Sequence, residues 1–239
     1  MKTRLDQALV ERGLVASRSQ ATSYIKLGDV RVNNKPAEKP GQLVSGEDVL
    51  EVTVQEQYVS RAALKLASVA DEFQLDFTGK TVLDIGSSTG GFTQFVLMHG
   101  AQKVIAVEVG TNQLHPSLRQ DTRIELHEQT DIRKLSVPID KPDVVVADVS
   151  FISLREILPA ALKLAKPDAQ VVMMVKPQFE AGNDYKHKGV IKNDTIRRQI
   201  LKDFETWVQK LFRIQNKADS AVAGARGNRE RFYLLTPLK

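Results

Sequence analysis

Apolar positions change their period along the chain. Leu5, Ala8, Leu9 and Leu14 recur at helical spacing, and Ser17 stands as a side-chain cap before a second helical run carrying Ala21, Ile25 and Leu27. Gly28-Asp29 then turns the chain into Val30-Arg31-Val32. Asn33-Asn34-Lys35-Pro36 reads as a hairpin turn, and Val44 through Val54 as a strand interrupted by a turn at Ser45-Gly46-Glu47-Asp48. These elements make a first unit over residues 1–56, followed over 57–80 by a linker and a connecting helix, Ser60–Phe73. From Thr81 onward short apolar strands alternate with helices, the mark of a parallel sheet covered on both faces. Strands are expected at Val82–Ile85, Val104–Val107, Ile124–His127, Val144–Ala147, Val171–Val175 and Phe232–Leu235, and helices near Gly91–Met98, Leu154–Lys166 and Thr195–Leu211. The expected fold class is α/β: a Rossmann-like domain over 81–239 behind a small α+β domain.

Composition narrows what such a fold can do. The chain of 239 residues has no cysteine, which excludes disulfides, thiolate metal sites and a thiol nucleophile. Its four histidines, His99, His115, His127 and His187, share no metal-ligand spacing, so no metal is expected. No apolar run approaches the roughly 18–20 residues of a membrane span, and Met1-Lys2-Thr3-Arg4 leads into an amphipathic pattern, so a cytoplasmic protein without membrane attachment is expected. Net charge is +5, with a pI of about 9.3, and the basic residues gather at the two ends. Over residues 1–40, Lys2, Arg4, Arg12, Arg18, Lys26, Arg31, Lys35 and Lys39 oppose only Asp6, Glu11, Asp29 and Glu38. Both ends are therefore candidates for contact with a polyanion.

The chemistry begins at Val82-Leu83-Asp84-Ile85-Gly86-Ser87-Ser88-Thr89-Gly90-Gly91-Phe92, a buried strand running into a glycine-rich turn and a helix. In a dinucleotide fingerprint the second glycine lets backbone approach a pyrophosphate, and that position here is Ser88; nor is there a Lys-Ser or Lys-Thr pair to complete a phosphate loop. Acidic residues at three successive strand ends repel phosphate and suit a cationic cofactor. Asp84 is placed to meet the ammonium of a methionine moiety while Gly86 and Gly90 leave space, Glu108 to accept from ribose hydroxyls, and Asp131 to accept from an adenine amino group. S-adenosylmethionine satisfies all three, with Ser87, Gly91 and Phe92 completing the expected cofactor loop.

Asp148-Val-Ser-Phe-Ile-Ser-Leu154, Val175-Lys-Pro-Gln-Phe-Glu180 and Gly227-Asn-Arg-Glu230 resemble the TlyA (hemolysin A) family of ribosomal RNA methyltransferases, whose catalytic domain groups with FtsJ-like 2′-O-methyltransferases. Arg4-Leu-Asp6, Arg18-Ser-Gln-Ala21 and Gly28-Asp-Val-Arg-Val-Asn33 resemble the S4 RNA-binding domain that opens that family, so the resemblance spans nearly the whole chain. It implies a class I methyltransferase domain with a mostly parallel seven-stranded sheet and cytidine 2′-O-methylation in ribosomal RNA or a ribosomal subunit. It also implies a Lys-Asp-Lys-Glu tetrad, which matches here to Lys65, Asp148, Lys176 and Glu230, with Asp148 bordering the cofactor as well.

Such a set has a chemical rationale. A ribose 2′-hydroxyl is too weak an acid to attack a sulfonium methyl without a general base. A lysine near its ordinary pKa of about 10.4 is protonated, but a second ammonium and partial burial both lower that value. Lys176 is assigned as the base, Lys65 as its cationic neighbour, and Asp148 and Glu230 as the groups that orient them. Arg4, Arg18, Ser19, Lys26, Arg31 and Lys35 are the expected RNA contacts, of the kind that position a backbone without reading sequence. Phe92, Phe151 and Phe179 flank the motif loops; each reads foremost as core, and one could stack a splayed nucleotide. A non-catalytic RNA-binding factor and a membrane-lytic hemolysin are the competing readings. The intact tetrad argues against the first, and the absence of a lytic amphipathic helix against the second.

Overall fold

A computed structural model of the chain describes residues 2–15, 17–53, 58–136, 140–182, 190–191, 193–222, 224 and 227–238. His187 and Val54 lie outside them.

The first unit follows its pattern closely. It comprises β1 (Thr3–Arg4), α1 (Leu5–Glu11), α2 (Arg18–Leu27), β2 (Val30–Val32), β3 (Lys35–Pro36), β4 (Leu43–Val44) and β5 (Leu50–Val52). Ser17 caps α2 by accepting from the Gln20 N–H at 3.2 Å. Asn33 and Asn34 both take positive φ, 51° and 64°, in a two-residue turn that pairs Val32 with Lys35. Two expectations are corrected. Leu14 lies beyond the end of α1 and is exposed, because the helix stops at Glu11 and Gly13 turns the chain at φ +70°. The single interrupted strand is two strands in different sheets, since β4 pairs with β1 while β5 pairs with β2.

The second unit comprises α3 (Arg61–Ala70), β6 (Thr81–Ile85), α4 (Gly91–Met98), β7 (Lys103–Val107), β8 (Ile124–His127), β9 (Val144–Ala147), α5 (Leu154–Leu164), β10 (Gln170–Val175), α6 (Pro177–Glu180), α7 (Asp194–Val208), β11 (Phe212–Asp219) and β12 (Arg231–Pro237). Seven strands form one sheet in the order β11-β12-β10-β9-β6-β7-β8, parallel from β10 to β8, with β12 antiparallel to both its neighbours. The inner strands β9 and β10 are apolar almost throughout because both their faces are buried. Leu83, Ile85, Val145 and Met173 point toward α5 and α7, while Val82, Val104, Val146 and Met174 point toward α3 and α4. β11 escaped the sequence pattern, because an edge strand reading Phe-Arg-Ile-Gln-Asn-Lys-Ala-Asp is largely polar and, although its exposure alternates, polar Asn216 takes an inward position beside a bulge between Ile214 and Asn216. Helix α7 ends at Val208, three residues before the expected Leu211, to let that strand begin. No helix among the described residues is long and apolar enough to cross a membrane.

Helix α3 serves two cores. Ala63, Leu66 and Val69 pack with the sheet and α4, whereas Leu64 belongs to the cluster of the first unit, with Leu5, Leu9, Tyr24 and Val30. Close approach of α3 to α4 depends on Gly91, where an added Cβ would lie 2.2 Å from Ser60 Oγ, 2.9 Å from Ala62 Cβ and 3.0 Å from Ala63 N. Gly91→Ala should therefore destabilise the protein by about 1–3 kcal/mol, against a gain in helix propensity of only about 1 kcal/mol. Urea unfolding measures it, and a variant as stable as the parent would mean that α3 moves aside without cost.

Candidate active site

The order β9-β6-β7 places the reversal of chain direction across the sheet at β6, and a crevice opens at the carboxyl ends of the strands there. Five strands deliver a glycine and four charged residues to that edge: Gly86 after β6, Glu108 after β7, Asp131 beyond β8, Asp148 after β9 and Lys176 after β10. The crevice has two lobes, of about 520 and 590 Å³, that share Gly86, Ser88, Asp148, Ser150, Phe151 and Lys176 as walls.

The first lobe gathers all four residues of the expected tetrad. They come as two ion pairs, Lys65 Nζ to Glu230 Oε2 at 2.5 Å and Lys176 Nζ to Asp148 Oδ1 at 2.5 Å. Asp148 and Lys176 meet because β9 and β10 are parallel and in register, Ala147 beside Met173. Lys65 and Glu230 meet from α3 and the start of β12, two elements separated by more than half the chain. Lys65, Lys176 and Glu230 are all buried residues.

The second lobe carries the acidic residues. Glu108, a wall of this lobe, accepts from the Ser88 N–H at 3.0 Å and the Gly110 N–H at 2.7 Å, one on each oxygen, stapling the loops after β6 and β7. Asp131 caps the short 3-10 turn Ile132–Lys134 and binds Arg133, whose guanidinium holds its carboxyl down to about 2. Ile132, Val149, Ile152 and Ile157 give this lobe an apolar floor.

The glycine loop differs in part from its expected role. Gly86 has φ +81° and borders both lobes, with a Cβ there landing 2.9 Å from the Asp148 carbonyl. Gly90, at φ +93°, borders neither lobe; the space beside it is filled by Leu114 and Leu118, so it serves a left-handed helix cap and close packing and leaves no room for a ligand. Ser87 lines the first lobe, and its Oγ is buried without a hydrogen-bond partner. Phe92 borders the same lobe from a nearly fully buried position.

Asp84 is also corrected. It lies on the α4 side of the sheet at 0% exposure, outside the walls of both lobes, so its carboxylate does not present itself to a ligand directly. Thr93 Oγ1 donates to its Oδ2 at 2.6 Å, and Oδ1 has no partner. Burial, with Asp148 and Glu108 nearby, pushes the carboxyl up to about 7.

Three residues that the sequence did not single out complete the site. Ser150 Oγ accepts from Lys176 Nζ at 2.8 Å, giving that ammonium a second fixed direction. Glu180, its side chain 1% exposed, accepts from Ser153 Oγ at 2.6 Å and from the Leu154 N–H at 2.7 Å, buckling the loop after β10 to the loop after β9. Burial raises its pKa. Asn228, nearly fully buried, borders the first lobe, and its Oδ1 accepts from the Ile191 N–H at 3.0 Å. Phe151, read foremost as core, is 92% exposed at φ +68°, its ring centroid 5.3 Å from that of Phe179 at the rim of the first lobe.

The expected RNA contacts divide into two kinds. Arg4 and Arg18 are exposed guanidiniums anchored on buried Asp6, at 2.9 and 2.8 Å. Arg31 and Lys35 are exposed on β2 and β3. Ser19 and Lys26 lie in α2, with side chains outside the described residues.

A seven-stranded sheet of this order, with a glycine loop after β6 and carboxylates along its carboxyl edge, defines a Rossmann-like class I methyltransferase. Residues 58–236 match the FtsJ-like methyltransferase model and residues 3–50 the S4 domain model. The chain belongs to the TlyA (hemolysin A) family. A 16S/23S rRNA (cytidine-2′-O)-methyltransferase TlyA from Mycobacterium tuberculosis is 43% identical over 197 residues, 81% of this chain and 74% of that one. A 23S rRNA (cytidine-2′-O)-methyltransferase TlyA from Campylobacter jejuni is 38% identical over 94% of this chain and 96% of that one. A solved structure described as a hemolysin from Streptococcus thermophilus superposes with a TM-score of 0.74 and 36% identity, over 100% of this chain and 89% of that one.

The buried Asp84 makes a thermodynamic prediction. The native state keeps a proton that the unfolded chain releases above about pH 4, so stability falls as pH rises from about 4 to about 7 and levels off beyond. Asp84→Asn removes that slope and should gain about 2–4 kcal/mol over the parent at pH 8 while matching it near pH 4. Urea unfolding at both pH values decides it; parallel pH dependences would show that Asp84 stays ionised in the folded protein.

Proposed function

We propose that this chain transfers a methyl group from S-adenosylmethionine to a ribose 2′-hydroxyl of a cytidine in ribosomal RNA, free or within a ribosomal subunit. Residues 1–56 hold the RNA, 57–80 connect and supply Lys65, and 81–239 bind the cofactor and carry out the transfer. One observation carries the reading: both ion pairs of the tetrad line a single lobe that opens directly into a second lobe with acidic walls. The relatives' names, which specify cytidine 2′-O-methylation of ribosomal RNA for those proteins, support the same chemistry.

The second lobe suits the cofactor. Glu108 would hold the ribose hydroxyls, and the apolar floor of Ile132, Val149 and Ile157 would take the adenine beside Asp131. Gly86 would allow close backbone approach, and the unpartnered Ser87 Oγ would take a polar group of the methionine moiety. The bound cofactor supplies an electrophilic methyl on a sulfonium.

Everything else falls to the chain. Phe151 and Phe179 stand at the rim, where a splayed base can stack. With its Nζ as the free amine, Lys176 would accept the hydroxyl proton as the new C–O bond forms and the methyl–sulfur bond breaks, while Asp148 and Ser150 fix the direction of Nζ. Lys65, held by Glu230, adds positive charge on the same lobe to steady the developing alkoxide.

Lys176→Met keeps most of the length and removes the amine, so single-turnover methyl transfer should fall by about 10²–10⁴ while cofactor and RNA still bind. Lys176→Arg should be nearly as inactive, because a guanidinium cannot act as a base. A near-parental Lys176→Arg enzyme would sink the base assignment and leave a positioning charge. Tritiated cofactor with ribosomal RNA, followed by mapping of 2′-O-methyl positions, tests the activity itself.

The RNA face is tested most cleanly at residues without a structural burden. Arg31→Ala and Lys35→Ala should each weaken RNA binding across sequences and lower the slope of log K against log salt by up to about one unit, with cofactor affinity unchanged. An unaltered salt slope in the double variant would remove this surface from the RNA contact.

A further inference from the structure

The two halves of the tetrad are supported differently. Asp148 and Lys176 emerge from adjacent strands of the central sheet, and Val149, which follows Asp148, packs against the sheet's own core. Lys65 and Glu230 come from elements that each drive an apolar side chain into the other domain. Leu64, one residue before Lys65, is 3% exposed within the N-terminal cluster, and Val222, from the connection between β11 and β12 that ends in Glu230, is 2% exposed in the same cluster.

These two intrusions are tied to each other and to the ion pair. Ser68 Oγ, one turn beyond Lys65 on α3, accepts from the Ala221 N–H at 3.4 Å and itself donates to the Lys65 carbonyl at 2.6 Å. Gly224 lies so close under Glu230 that a Cβ there would be 2.7 Å from Oε1, and its N–H donates to the Asn228 carbonyl at 2.9 Å. Ala221 is therefore tied to Lys65 through Ser68, and Gly224 is packed directly against Glu230. Close packing transmits displacements, because a filled core does not deform continuously.

Resting on the methyltransferase reading above, we propose that the hydrophobic core of the N-terminal domain braces the Lys65–Glu230 pair, with Leu64 and Val222 as positioning residues acting through Lys65 and Glu230. The domain that holds RNA is then also part of the scaffold of the reaction lobe. Only a seated N-terminal domain gives Lys65 its reach into that lobe, so RNA docking and active-site geometry are coupled mechanically.

Val222→Ala is the test, since it shortens one intruding side chain without touching the lobe or the RNA face; Val222→Ile, which keeps the contact, is its control. In single-turnover methyl transfer to ribosomal RNA at saturating RNA and cofactor, Val222→Ala should lose about tenfold to a hundredfold in rate, as small displacements of catalytic groups do. Dissociation constants for cofactor and RNA should stay within about twofold of the parent, and Val222→Ile should keep the parental rate. The discriminating measurement repeats Val222→Ala in a Lys65→Met background, where the loss should disappear because the pair it acts through is already broken. The same fold loss in both backgrounds, or a folded Val222→Ala enzyme at the parental rate, would overturn the brace. Absence of methyl transfer by the parent would instead remove the enzymatic reading, and the brace with it, so the two failures are told apart by the parent alone.

Discussion

The in-register, parallel pairing of β9 with β10 is the constraint on which the site depends. It sets Ala147 beside Met173, with β10 running two residues further to Val175, so Asp148 and Lys176 follow neighbouring strand ends and their side chains meet at 2.5 Å. Apart from Gln170 at the start of β10, both strands are apolar and buried on both faces, and a one-residue slip would exchange the two faces of a strand. The register is therefore held by the core, and the ion pair inherits its precision. Glu180 adds a second tie between the two exit loops at their far ends.

Charge is organised around that pair. The first lobe alternates cations and carboxylates, each partnered, whereas acids outnumber bases along the second, where Glu108, Asp131 and Asp148 face Arg133 and Lys176. An ion pair as buried as Lys65–Glu230, with side chains 9% and 4% exposed, contributes little net stability, yet losing one partner strands the other at a cost of about 3–5 kcal/mol. Retention of two such pairs in one cleft is better understood as a requirement of chemistry than of folding. Asp84 shows the opposite solution: a carboxyl sealed beneath the loop, raised toward neutrality, with a single threonine donor.

Relatives at about 40% identity and a superposition over the full chain place this protein in its family, while the side-chain geometry explains why the family's motifs are spaced as they are. The motif around Asp148 carries the aspartate, the serine that steers Lys176 and the exposed Phe151 within four residues, because all three must leave the same strand end. Gly224, three residues ahead of the motif Gly227–Glu230, packs beneath the glutamate and is tied to the motif by its hydrogen bond to the Asn228 carbonyl.

By itself the sequence determined the local elements whose physics is local. The Ser17 cap, the turn at Gly28, the Asn33-Asn34 turn and the apolar strands were legible because each depends on neighbours a few residues away. The tetrad was legible too, through motif resemblance, although nothing local says that Lys65 and Glu230 touch. What only the tertiary structure decided was which groups share a wall. Gly90 faces leucines where cofactor space was expected, Asp84 is sealed where a ligand contact was expected, Phe151 stands in solvent where core was expected, and Val222 belongs to the core of the other domain. Each of these turns on contacts between residues distant in the chain, and long-range packing leaves no period or spacing in the sequence from which it could be read.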